Sequence, residues 1–231
     1  MGYVKNTMPD RVANLIIPHY CCACGEIGGI LCESCKNDIL NESFAYCLLC
    51  LQPINNARGL CAQHSRSALG VSVVGWRRDG LESLVDISKF ESVRPGCTAQ
   101  ADLLASILPF LGDNVAVVPI PTIAPHIRQR GFGHTEIIAK NIAQHFRYRY
   151  FPLLQRRNNL VQHGAHRAER ERQARDAFSL NGLIATEATY LLIDDVYTTG
   201  ATMRAAIKLL KSAGAKRIWL AVTSRQPQAS I

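Results

Sequence analysis

No apolar run in this sequence is long enough for a helix to cross a bilayer, which needs roughly 20 residues. A secretory leader is also missing: Leu15–Ile17 is too short for its apolar centre, and no small-residue cleavage site follows. The chain therefore reads as cytoplasmic. Aromatic residues make up only 7% of it, and they are not interleaved with its basic stretch apart from Tyr148, Tyr150 and Phe151. That leaves few platforms on which unpaired bases could stack. Gly-x4-Gly-Lys is absent, which argues against a P-loop nucleotide site. There is no internal repeat beyond paired cysteines and no low-complexity segment.

Acidic residues are scarce where basic ones gather. Up to Ala68, five basic residues (Lys5, Arg11, Lys36, Arg58, Arg66) meet five acids (Asp10, Glu26, Glu33, Asp38, Glu42). From Pro121 to Arg175 eleven basic residues, among them Arg128, Arg130, Arg156, Arg167, Arg170, Arg172 and Arg175, face only Glu136, Glu169 and Glu171. Eleven minus three accounts for the whole net charge of +8. A field of this kind attracts phosphate, on a small ligand or on a nucleic acid. It is equally compatible with a solvated surface.

Cysteine is abundant, and eight of the nine lie before Ala62. With no export signal, reduced thiols or metal ligands fit better than disulfides. The spacing is Cys21-x2-Cys24, Cys32-x2-Cys35, Cys47-x2-Cys50 and Cys61-x2-His64. Each pair is a turn that aims two side chains at one tetrahedral ion, and closed four-ligand sites are structural zinc sites. Spacing leaves the pairing open between first with second and first with third, and redox dithiols compete with zinc. Cys22 is left over, and His64 occupies the position of an eighth ligand.

Two regimes follow: a cysteine-rich segment, 1–68, with a short helix expected at Met8–Ile17, and a second segment, 69–231. In the second, strands (Gly70–Trp76, Val115–Val118, Tyr190–Ile193, Arg217–Thr223) alternate with helices (Leu81–Phe90, Cys97–Leu111, Thr135–Phe146, Ala201–Ala213). Such alternation predicts an α/β fold, a mostly parallel sheet flanked by helices, behind a small zinc-ribbon domain.

The strand Tyr190–Ile193 runs into Asp194 and Asp195, then Thr198-Thr199-Gly200-Ala201-Thr202 and a helix. Ligands of open α/β sheets bind at the C-terminal strand edge. Two carboxylates there can bind the vicinal hydroxyls of a ribose, or a Mg2+ ion that does so. Backbone N–H groups at a helix start, aided by threonine hydroxyls, form an anion site, and Gly200 allows close approach. The order of these groups describes a ribose 5-phosphate. Arg128 and Arg130, expected beyond a strand end, can bind a pyrophosphate, and Lys89 can help.

The segment LLIDDVYTTGATM (Leu191–Met203) resembles the phosphoribosyl pyrophosphate (PRPP) motif of type I phosphoribosyltransferases. The resemblance implies Asp194 and Asp195 at the ribose hydroxyls and Mg2+, and Tyr197, Thr198, Thr199, Gly200, Ala201 and Thr202 around the sugar and its 5-phosphate. Purine-salvage members carry an aspartate at the position of Thr198, so a 6-oxopurine acceptor is not expected. Val117-Val118-Pro119-Ile120-Pro121, then Arg128-Gln-Arg130-Gly131-Phe132, Gln162, Arg170-Glu-Arg172 and Ala177-Phe178, with the cysteine pairs in front, are similar to the ComF competence-protein family, which includes GntX-type proteins. That resemblance implies a double zinc ribbon before a phosphoribosyltransferase-like domain, and association with uptake of transforming DNA. Two functions follow from it: a pentosyl transferase using PRPP, or a competence factor binding single-stranded DNA, a helicase or other DNA-processing proteins without turnover. Gly133 and His134 depart from the family's usual Asn and Gln. Arg167, Arg170 and Arg172 suit either a mobile lid or a nucleic-acid track.

Overall fold

A computed structural model of the chain describes residues 20–90, 93–157 and 177–227. The helix expected at Met8–Ile17 and the residues Arg167, Arg170 and Arg172 lie outside these.

Chain order is α1 (Glu33–Asn41), a 3-10 turn (Ala62–His64), β1 (Gly70–Trp76), α2 (Asp79–Phe90), α3 (Arg94–Ile107), β2 (Val115–Pro119), α4 (Ala124–Arg130) and α5 (His134–Phe146), then β3 (Arg149–Tyr150), β4 (Leu154–Arg156), β5 (Phe178–Leu180), β6 (Thr189–Tyr197), α6 (Ala201–Ser212) and β7 (Arg217–Arg225). Five strands form one sheet in the order β1-β7-β6-β2-β3, and every pairing in it is parallel. β4 and β5 pair antiparallel as a separate ribbon.

Alternation along the strands divides the apolar side chains between two faces. Tyr190 and Leu192 of β6, with Ala116 and Val118 of β2 and Ile218, Leu220 and Val222 of β7, belong to one core. Leu191 and Ile193, with Val115, Val117, Trp219 and Ala221, belong to the other. The second face is covered by α2, α3 and α5 through residues such as Leu84, Leu104 and Ile142. The first face receives α6, whose Met203, Ala206, Ile207 and Leu210 repeat at i, i+3, i+4 and i+7. Leu48 and Leu60 of the cysteine segment and Leu153 and Phe178 of the β4–β5 region complete that cover.

Several boundaries differ from those expected from the sequence. β6 runs to Tyr197, so the acids lie inside the strand. Aspartate is a poor strand former, yet Asp194, Val196 and Tyr197 stay in register with Val222, Ser224 and Arg225 of β7. α3 stops at Ile107 instead of Leu111, because Pro109 removes a donor and restricts Leu108 before it. Arg128 and Arg130 belong to a short helix, α4, opened by Pro125 and closed by Gly131 in the left-handed region (φ 79°). One glycine is sterically required within the sheet: a Cβ on Gly70 would run into the Trp219 ring.

Candidate functional site

The C-terminal ends of β2 and β6 open into a cleft of 470 Å3. Lys89 comes from the end of α2, Thr122 from the turn after β2, and His134 and Thr135 from the start of α5. Arg156 comes from β4, Asp194 and Asp195 from β6, and Thr202 from α6.

The two adjacent acids occupy unlike environments. Asp195 is 4% exposed. Its Oδ2 lies 3.0 Å from Lys89 Nζ and against His134 Nε2 as an ion-pair contact, and its Oδ1 accepts the Val196 N–H at 2.6 Å. Burial pushes its carboxyl up, but the His134 hydrogen bond and the Lys89 charge outweigh that and hold it well below the usual carboxylate range. Asp194 is half-buried and lacks these donors. Desolvation, and then the charge of Asp195, push its pKa up to about 8. Asp194 Oδ1 accepts the Asp195 N–H at 3.0 Å.

Arg156 is half-buried, its Nε donating to Pro121 O at 2.8 Å and its guanidinium lying 5.2 Å from the Phe178 ring centre. Desolvation lowers its pKa, while Asp194 acts in the opposite sense. Thr135 donates to Ile120 O at 2.7 Å and lies 3.4 Å from the Thr122 hydroxyl, which ties the start of α5 to the turn after β2.

Behind the loop that follows β6, two arginines hold carbonyls. Arg225 Nη1 donates to Tyr197 O (3.0 Å) and to Thr198 O, and Arg204 Nη1 donates to Thr199 O (2.8 Å). Each peptide is planar, so holding these oxygens turns the N–H groups of Thr198, Thr199 and Gly200 the other way. Gly200 caps α6 with φ 74°, and a Cβ there would collide with the Tyr197 hydroxyl. The Thr199 hydroxyl accepts the Ala201 N–H at 3.4 Å. Free N–H groups at the start of α6 and a left-handed glycine before it make an anion-binding concavity.

Of the residues singled out from sequence, Asp194, Asp195, Thr202 and Lys89 line the cleft. Thr198 and Thr199 are exposed and are not among its lining residues, while Tyr197 is buried. Arg128 is exposed on α4 and does not line the cleft. The side chain of Arg130 lies outside the described residues. Arg156 stood out in the sequence only as one of the eleven basic residues between Pro121 and Arg175, Thr122 and Thr135 carried no signal, and His134 stood out only as a departure from a family pattern.

The cysteine pairs assemble in sequential order. The sulfurs of Cys21, Cys24, Cys32 and Cys35 lie within 4.8 Å of one another, as do the ligand atoms of Cys47, Cys50, Cys61 and His64. Cys24 and Cys32 sulfurs are 3.7 Å apart, Cys50 and Cys61 3.6 Å, and His64 Nδ1 is 3.2 Å from Cys61 Sγ. Zn–S bonds of about 2.3 Å in a tetrahedron put sulfurs roughly 3.8 Å apart, so each set could hold one such ion. Cys22 packs against the core instead.

Comparison with known proteins agrees with this geometry. Residues 137–230 match the family model of the phosphoribosyl transferase domain. Competence protein F of Haemophilus influenzae is 29% identical over 210 residues, covering 81% of this chain and 87% of that protein. Competence protein ComFC of Streptococcus pneumoniae is 34% identical over 101 residues, 44% of either chain. Among solved structures, a hypoxanthine phosphoribosyltransferase from Staphylococcus aureus aligns with a TM-score of 0.36 at 13% identity, covering 61% of this chain and 68% of that one. A parallel sheet with helices on both faces and a phosphoribosyl transferase domain match define a phosphoribosyltransferase-fold protein, here preceded by two cysteine clusters that could bind metal. The similarity to these two competence proteins, the domain match and the paired cysteine sets together support a ComF-family protein. Among the described residues no helix is long and apolar enough to cross a membrane.

Proposed function

We propose that the cleft binds PRPP, Asp194 accepting hydrogen bonds from the ribose hydroxyls and residues 198–202 holding the 5-phosphate. One observation carries the reading: an acid pair at the C-terminal end of β6 and a glycine-capped helix start meet at one cleft, in the order a ribose 5-phosphate requires. Lys89 and Arg156 stand where a pyrophosphate can be neutralised. Arg128 and Arg130 on α4 remain candidates for its outer oxygens. With an acceptor present, the acceptor's lone pair would form the bond to the anomeric carbon, and pyrophosphate would leave with the electrons of the broken C–O bond. Such a site works mainly by positioning and by stabilising developing charge. Thr198 offers no acid or base to a purine ring at neutral pH.

The expectation that Mg2+ accompanies PRPP is kept for the ligand's own diphosphate. The carboxylates fit the ion poorly, because Asp195 is already taken by Lys89 and His134. The two cysteine sets are proposed as structural Zn2+ sites within a metal-binding segment, 1–68, that packs on 69–231. The names of the relatives, competence protein F and competence protein ComFC, support a setting in natural competence, and uptake of transforming DNA is the proposed process.

The test is titration with PRPP, followed by an acceptor screen scored by pyrophosphate release. At pH 9, where Asp194 is ionised, wild type should bind and Asp194→Asn should weaken binding by about tenfold or more, the scale of one lost hydrogen bond to a charged group. Equal binding by wild type and Asp194→Asn would reject the sugar-phosphate reading.

A second reading, a competence factor that binds a nucleic-acid strand or a partner protein without turnover, is favoured by a groove of 590 Å3 between α6 and the second cysteine set. Arg204, Lys208 and Lys211 line it, and α6 carries no acidic residue. Binding that falls steeply with salt and is lost in Lys208→Glu with Lys211→Glu would support that reading.

A further inference from the structure

The fold family implies a divalent ion beside the sugar, and the donor set here argues for another arrangement. Three of the four carboxylate oxygens of the acid pair are engaged. Asp194 Oδ1 takes the Asp195 N–H, Asp195 Oδ1 takes the Val196 N–H, and Asp195 Oδ2 takes both Lys89 Nζ and His134 Nε2. Mg2+ needs near-octahedral oxygen ligands and keeps several waters. Placed on Asp195 it would sit within a few ångströms of the Lys89 ammonium, and like charges that close repel strongly in a site shielded from water.

Lys89 is not a wandering surface cation. It is the penultimate residue of α2, a helix anchored by Leu81, Leu84, Val85 and Ser88, and its side chain is only 20% exposed. Asp195 is buried in β6 between Asp194 and Val196, both of which pair with β7. Arg156 adds a second cation at the same cleft. The lining is therefore rich in positive charge before any ion arrives, as a phosphate ester requires.

We infer that this cleft takes its sugar phosphate without a protein-held divalent ion: the Lys89 ammonium, fixed on Asp195, supplies the positive charge, and Asp194 alone turns a carboxylate oxygen to the ribose hydroxyls. The inference rests on the PRPP reading above and specifies how that site is charged. Asp195 then acts as a positioning residue for Lys89, and Asp194 and Lys89 touch the ligand.

The experiment is calorimetric titration of the full chain with PRPP in Mg2+-free buffer, prepared over a chelating resin with no soluble chelator so that the cysteine sets keep their metal, and in Mg2+, for wild type, Lys89→Met and Lys89→Arg. Wild type should bind with dissociation constants within about threefold in the two buffers. Lys89→Met should lose about tenfold to a hundredfold in the Mg2+-free buffer, the scale of a charge-assisted hydrogen bond, with no rescue by Mg2+. Lys89→Arg should recover most of that loss, which a merely structural defect would not allow. Mn2+ added with ribose 5-phosphate, which lacks a diphosphate to carry the ion, should give no immobilised electron-spin-resonance signal. Wild-type binding that requires Mg2+, or an immobilised Mn2+ signal, overturns the inference while leaving the PRPP reading intact. No binding in either buffer overturns both. The wild-type arms need no variant to fold.

Discussion

Asp194 and Asp195 are neighbours in sequence, yet opposite faces of one strand meet different groups. Asp195 turns to Lys89 and His134, and Asp194 lacks both. The sequence makes the pair visible but not this inequality, because the deciding side chains arrive from α2 and α5. A pH dependence follows. The folded-state pKa of Asp194 is raised to about 8, above its ordinary value of 3.8. The folded protein thus holds a proton there that the unfolded chain releases, so this residue's contribution to stability is greatest below pH 4 and falls as pH rises to 8. Asp194→Asn removes that dependence. Its melting temperature relative to wild type should climb between pH 5 and pH 8 and level off above, and a difference flat with pH would contradict the assignment. Gly200 gives a second test. A Cβ there meets the Tyr197 hydroxyl in a left-handed backbone conformation, so Gly200→Ala should cost roughly 1–3 kcal/mol of stability by urea unfolding and should weaken PRPP binding with it. A variant as stable as wild type would show that the loop adopts another course.

The elements most legible from the sequence are those with strong periodicity. β1, β2, α5 and α6 fall within a residue or so of their expected limits, because their apolar spacing is also their packing pattern. What escaped was structure imposed from outside the segment. β6 continues through two acids since β7 supplies its partners, and α4 is a short turn of helix defined by Pro125 and Gly131 without an apolar stripe. The cleft was legible to the same degree. The β6 loop is local and readable, whereas Arg156 and Thr135 reach it only once the sheet and ribbon are assembled. The weight carried by α6 can be measured directly. Leu210 is fully buried against the first face of the sheet, so Leu210→Ala should cost about 2–5 kcal/mol, read as a lower urea midpoint at unchanged slope. A cost below 1 kcal/mol would mean that α6 docks loosely. The loop at residues 198–200 would then lack its anchor.

At the scale of the molecule, the cysteine segment is part of the core. Leu48 and Leu60 pack with one face of the sheet, while Cys22, Leu31 and Ile39 pack against the other. The first knuckle also approaches α2 so closely that a Cβ on Gly80 would lie 2.8 Å from the Ala23 Cβ. The two ligand sets therefore brace opposite faces of the sheet that carries the cleft, and Val71 of β1 is tied to the cysteine segment by its own N–H, which donates to Arg58 O at 2.7 Å. Metal lost from either set would loosen the sheet as well as the knuckle, since four-ligand zinc sites contribute on the order of 10 kcal/mol to folding. Stripping metal with a strong chelator should lower the melting temperature of the whole chain and accelerate amide exchange in β1 and β7 together with residues 20–67. Residues 69–231 expressed alone should aggregate, because removing Leu48 and Leu60 uncovers an apolar face. Exchange confined to residues 20–67 after chelation, with a stable and monodisperse 69–231 fragment, would show instead that the segment is an appended module. In that case the phosphoribosyltransferase domain would form its cleft without the metal sites.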